Sequence, residues 1–125
     1  MKILKSSEDY LETMLILREQ RGYIRSIDIA EALGVTKPSV SYAVKRLREN
    51  GYITMDRENL IALTDKGSEI AERVYERHKV LTGILIHLGI DPQIAREDAC
   101  KIEHDISDLT FEALKRRLRE IEAQN

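Results

Sequence analysis

The chain has 125 residues, 34% of them charged, yet 20 Lys and Arg stand against 22 Asp and Glu for a formal net charge of -2. That balance excludes a polycation, so any contact with nucleic acid must come from local basic patches. The single Phe and missing Trp leave little aromatic mass for a large ligand pocket, and one Cys forbids an internal disulfide and fits a reducing cytoplasm. No apolar leader is expected at the N-terminus, and the longest apolar stretch, Val80 to Ile90, is too short and interrupted to span a bilayer. The length suits one ordinary domain or two small ones.

In chain order, Ser6 or Ser7 is expected to cap a first helix running to about Gln20, with Tyr10, Leu11, Met14, Leu15 and Leu17 on its apolar side and Gly22 as its stop. From Ser26 the pattern is short helix, turn, longer helix. Ile27 to Leu33 comes first, then Gly34 and Val35, then Thr36 as cap and Pro38 in the first turn of a helix reaching Asn50, with Gly51 beyond it. Val40, Ala43, Val44 and Leu47 form the apolar stripe of that longer helix. Small Ala30 followed by Gly34 lets the two helices approach closely. Tyr52 to Met55 and Leu60 to Leu63 read as a hairpin with the charged tip Asp56-Arg57-Glu58-Asn59.

Helix, then helix-turn-helix, then hairpin is the layout of a winged helix-turn-helix DNA-binding module. The outer side of the longer helix carries the candidate interface. Lys37, Lys45, Arg46, Arg48 and the hairpin's Arg57 are placed to neutralise phosphates. Pro38, Ser39, Ser41 and Tyr42 stand where base or thymine-methyl contacts are made. Few bidentate readers occupy this face, so DNA shape is expected to contribute to specificity. Pairing of Arg46 and Arg48 with neighbouring acids on the helix surface is the competing reading.

The remainder is helical. Thr64 or Asp65 starts a helix to about Gly89, carrying His78 and the apolar face Val80, Leu81, Ile84, Leu85 and Leu88. Asp91-Pro92 restarts a helix that carries Cys100, and Ser107 or Asp108 caps a last helix with Phe111, Leu114, Leu118 and Ile121 at helical spacing. These helices have more apolar face than so small a domain can bury, and the surplus is assigned to a homodimer interface. The fold class is therefore mainly α: a winged-helix DNA-binding domain over residues 1–66, followed by a helical dimerisation domain over 67–125.

Three clusters suggest a metal site. Cys100, Glu103 and His104 stand at three- and four-residue spacing, which on a helix turns all three to one face. A thiolate, a carboxylate and an imidazole together suit a divalent transition ion such as Fe(II), Mn(II), Co(II) or Zn(II), and suit Mg or Ca poorly. Asp9 and Glu12 can add carboxylates from the first helix, and His78 a ligand from a third. The bland reading is that spaced carboxylates are common on charged helices and that a lone Cys is usually inert. His87 has no ligand at useful spacing and is taken as a packing or interface residue.

Several stretches taken jointly resemble the diphtheria-toxin-repressor and manganese-transport-regulator family of metal-dependent transcriptional repressors. They are Glu8-Asp9-Tyr10-Leu11-Glu12, Asp28-Ile29-Ala30-Glu31-Ala32-Leu33, Pro38-Ser39-Val40-Ser41, Leu63-Thr64-Asp65-Lys66-Gly67, Arg77-His78, and Cys100-Lys101-Ile102-Glu103-His104. The resemblance runs from Ser7 to about Leu118 and suggests the short, two-domain form. It implies a metal ligand set of Asp9, Glu12, His78, Cys100, Glu103 and His104. Asp9 matches the manganese sensors, whereas Cys100 stands where the iron sensors carry Cys and the manganese sensors Glu, so the set is a hybrid. The matching positions for the iron sensors' second site are Thr82 and Arg96, which are poor ligands. Mn(II) or Fe(II) is expected as corepressor, with Zn(II) or Co(II) able to substitute in vitro, and a palindromic DNA operator and a second copy of the chain as partners. Alternative readings are a winged-helix regulator answering to a small organic ligand or to oxidation of Cys100, and, more remotely, a metallohydrolase using Glu103 as general base.

Overall fold

The computed structural model describes residues 4–124. Six helices and two strands follow in the order α1 (Lys5–Arg21), α2 (Ser26–Leu33), α3 (Lys37–Glu49), β1 (Ile53–Met55), β2 (Ile61–Leu63), α4 (Asp65–His87), α5 (Pro92–Ile102) and α6 (Asp108–Ala123). They divide into two compact units, residues 1–73 and 74–125, with the boundary inside α4. None of the described helices is long and apolar enough to cross a membrane.

In the first unit α1 is central, packing against α2, α3 and β2. Its start differs from the expectation. The cap position is Leu4, which offers no side-chain acceptor, and Ser6 and Ser7 lie inside the first turn. The other end follows the sequence, since Gly22 takes the left-handed conformation (φ 82°) that glycine adopts without a Cβ penalty and returns its N–H to the Arg18 carbonyl. Thr36 caps α3 by accepting from the Ser39 N–H, with Pro38 just inside. Leu11, Met14, Ile24, Ile29, Val40, Val44, Leu47, Ile53 and Ile61 form the buried core.

The hairpin is shorter than the apolar runs. Ile53, Thr54 and Met55 pair antiparallel with Leu63, Ala62 and Ile61. Its tip is closed by the Asp56 carboxylate, which accepts from the backbone N–H groups of Glu58 and Leu60. The Ile61 N–H donates to the Ile24 carbonyl at 2.9 Å, tying the wing to the segment between α1 and α2.

The second unit is built from the later part of α4 with α5 and α6. Val80, Phe111 and Leu118 make its core, with Ile84, Ile106 and Leu114 packed against them. Asp91 caps α5 by accepting from Gln93 and Ile94, and Ser107 caps α6 by accepting from Thr110. Apolar side chains remain on its surface, among them Leu88, 72% exposed, and Leu109, 84% exposed.

Candidate metal centre and nucleic-acid interface

The expected one-face trio on α5 is altered by where the helix ends. Its last helical residue is Ile102, so Cys100 is on the helix while Glu103 is its C-cap and His104 lies in the following turn. Backbone angles at Glu103 remain helical (φ -61°, ψ -25°) and its N–H still bonds the Ala99 carbonyl at 3.0 Å. Glu103 thus keeps the helical direction for one residue beyond Ile102 before the chain turns toward α6. The three residues differ in environment: the Cys100 side chain is exposed, whereas Glu103 is only 1% exposed.

Glu103 is the centre of the second unit's polar cluster. Its Oε2 lies 3.0 Å from His78 Nδ1 on α4, and its Oε1 lies 3.4 Å from His104 Nε2. No hydrogen bond reaches Oε1 among the described residues, although the atom is fully enclosed. A buried carboxylate oxygen left in this condition carries a desolvation cost that a cation can relieve. Two imidazoles and a carboxylate are also the donor types that intermediate divalent ions accept. The residues present therefore fit a divalent transition metal.

On α1 of the first unit, Glu12 is buried and Asp9 is half-buried, one turn apart on the same helix. Glu8, also buried, is engaged differently: its Oε2 accepts from Arg73 at 2.8 Å. His87, in the last turn of α4, is exposed and is not buried in the core.

The candidate DNA face is laid out as expected from the helical repeat. Lys37, Pro38, Ser39, Ser41, Tyr42, Lys45, Arg46 and Arg48 are all exposed on α3, opposite buried Val40, Val44 and Leu47, and Arg57 is exposed at the wing tip. Neither Arg46 nor Arg48 forms a salt bridge among the described residues. The Arg46 guanidinium lies 5.8 Å from the Tyr42 ring centroid, and Arg48 Nη1 lies 3.9 Å from Met55 Sδ. The surface-pairing reading of these arginines thus finds no ion pair among the described residues. Tyr42 is 64% exposed, a large ring held outside the core.

Sequence reasoning leaves the start of α1 out of this face. A cleft of about 220 Å³ is lined by Ser6, Ser7 and Tyr10 of α1 together with Ser39, Tyr42 and Arg46 of α3. Burial raises the Tyr10 phenol above its ordinary pKa. No periodicity signal reveals such a neighbour, because it depends on how α1 crosses α3.

The family comparisons fall on these same two parts. The model of the iron dependent repressor N-terminal DNA-binding domain matches residues 2–59, and that of the iron dependent repressor metal-binding and dimerisation domain matches residues 64–124. The chain belongs to the iron-dependent repressor family. Among curated relatives, the transcriptional regulator MntR of Escherichia coli is 37% identical over 108 residues, covering 86% of this chain and 70% of that protein. A helix-turn-helix-type transcriptional regulator of Methanocaldococcus jannaschii is 36% identical over 113 residues, covering 89% and 90%. Among solved structures, that of the metal-dependent transcriptional regulator MtsR superposes with a TM-score of 0.82 at 32% identity, covering 90% of this chain. This chain spans 53% of the length of that one. The basic α3 lies within the part matched by the DNA-binding model, and the Glu103 cluster within the part matched by the metal-binding and dimerisation model.

Proposed function

We propose that this protein is a metal-responsive transcriptional repressor of metal-uptake genes, in which Asp9, Glu12, His78, Cys100, Glu103 and His104 are the ligand set and Mn(II) or Fe(II) is the corepressor. The observation that carries the metal part is the enclosed Glu103 carboxylate, set between His78 and His104 with one oxygen lacking a donor. A bound ion supplies two positive charges to a set rich in carboxylate and imidazole. The function assigned to residues 1–66 is DNA binding, and to 67–125 dimerisation and metal binding. Because the ligand set draws on both, affinity for metal and affinity for DNA are linked if the ligands converge only in the DNA-competent arrangement.

On the DNA side, Lys37, Lys45, Arg46, Arg48 and Arg57 hold phosphates, while Pro38, Ser39, Ser41 and Tyr42 meet base edges in the major groove. Two copies of α3 in a dimer then read half-sites about one helical turn apart, on the order of 34 Å, in a palindromic operator. The reading is of a cytoplasmic regulator without catalytic activity.

The test is fluorescence anisotropy of labelled DNA from upstream of the protein's own gene, titrated anaerobically in chelator and then with Mn(II), Fe(II), Co(II) or Zn(II). Binding is expected to appear only with metal, and the titrations rank the ions. Equal binding with and without metal overturns the corepressor reading.

A further inference from the structure

We propose that Arg77 is the positioning residue of the metal centre: its buried guanidinium holds the connector between α5 and α6 in the shape that presents Glu103 and His104, without itself meeting the ion. The proposal rests on the ligand set given above.

The connector needs such a device. Helix α5 stops at Ile102, and residues 103–106 turn the chain toward α6, where the last carbonyls of a helix need partners from elsewhere. Arg77 reaches two carbonyls of this turn. Its Nη1 donates to the Glu103 carbonyl at 3.2 Å and to the Ile106 carbonyl at 2.7 Å, and its Nη2 pairs with the Asp108 carboxylate at the start of α6. The guanidinium carbon lies 5.2 Å from the Phe111 ring centroid. At 7% exposure the side chain is enclosed in the second unit, an unusual expense for an arginine unless several acceptors are satisfied at once.

Sequence adjacency does the rest. Arg77 fixes the main chain of Glu103, and the next residue, His78, contacts the Glu103 side chain at 3.0 Å. One turn of α4 thus grips both ends of the same ligand residue. Only a planar fork can reach two carbonyls and a carboxylate together. Lysine brings the charge as a single point, and methionine brings the volume without donors.

The experiment measures Mn(II) affinity of the full chain by competition with a fluorescent chelator, for wild type, Arg77→Lys, Arg77→Met and Leu118→Val. The last variant trims the same core and leaves in place every group to which Arg77 donates. Arg77→Met is expected to weaken Mn(II) binding about tenfold or more, the size typical of losing a group that orients a ligand, with Arg77→Lys in between. Leu118→Val should lower the thermal midpoint while leaving Mn(II) affinity within about twofold of wild type. At saturating Mn(II), Arg77→Lys should recover wild-type DNA affinity, because Arg77 is enclosed in the second unit and lies outside the exposed face of α3. Wild-type Mn(II) affinity in Arg77→Lys and Arg77→Met overturns the proposal, as does an equal loss in Leu118→Val. Should Arg77→Met not fold, Arg77→Lys alone decides. A wild-type protein that binds no Mn(II), Fe(II), Co(II) or Zn(II) overturns the ligand set itself, which is a different result from variants that bind as wild type does.

Discussion

A thiol and a carboxylate one helical turn apart experience different surroundings here: Cys100 is exposed on α5, and Glu103 is enclosed just past its end. Glu103 is held by His78 and Arg77, whereas Cys100, as a ligand in the proposed set, would be the member that sets softness. Replacing the thiolate by a carboxylate hardens the donor set. Cys100→Glu should therefore shift the ratio of Mn(II) to Zn(II) affinity toward Mn(II) by roughly tenfold, about 1.4 kcal/mol, read by paired chelator competitions. An unchanged ratio would show that Cys100 is not a ligand. Spacing makes this cluster visible in the sequence. It cannot show the break at Ile102, because helical spacing presumes that the helix continues, and the connector is shaped by Arg77, 26 residues away from Glu103.

At the scale of elements, the end of α3 is fastened to the start of α4 by contacts of side chains with backbone groups that spacing alone does not reveal. Thr64 Oγ1 donates to the Gly51 carbonyl and accepts from the Gly67 N–H, while Lys66 Nζ donates to the Asn50 carbonyl and lies 4.3 Å from the Tyr52 ring centroid. Gly67 is required by contact rather than by φ: a Cβ there would stand 2.0 Å from the Tyr52 carbonyl oxygen, a backbone atom. Gly67→Ala should cost about 1–3 kcal/mol by forcing that backbone aside, measured by urea denaturation. At Gly83 the nearest atom is a Leu118 methyl at 3.1 Å, which can give way. Gly83→Ala should stay within about 1 kcal/mol of wild type, since helix propensity favours alanine there. The helix order, most stops and three of the caps are legible because Thr36, Asp91, Ser107, Gly22 and Gly34 are local signals. The start of α1 is not, because two serines resemble a cap, whereas the chain begins its helix at Lys5 behind Leu4. The strands are shorter than their apolar runs because Tyr52 bonds to the end of α3 through Leu47 and to Thr64 instead of entering the ladder.

For the molecule as a whole, a net charge of -2 means that DNA is repelled weakly at long range and attracted only where basic side chains are gathered. On α3 and the wing tip, Lys37, Lys45, Arg46, Arg48 and Arg57 are exposed, and Arg46 and Arg48 have no acid paired with them among the described residues. Each phosphate that such a cation neutralises releases counterions, so the binding constant should fall steeply as salt rises. Replacing Arg46 by alanine should make the slope of log affinity against log salt shallower by about 1 for each phosphate no longer neutralised, hence by about 2 for a symmetric dimer. Affinity should fall alike on operator and unrelated DNA, because binding to a phosphate carries no sequence information. Ser39→Ala should show the opposite signature, an unchanged slope with reduced discrimination between operator and unrelated DNA. Anisotropy titrations across a salt series, with metal saturating, separate the two. If Arg46→Ala leaves the slope unchanged, that guanidinium is a solvated neighbour of Tyr42 and the phosphate assignment passes to Lys45, Arg48 and Arg57, each testable in the same way.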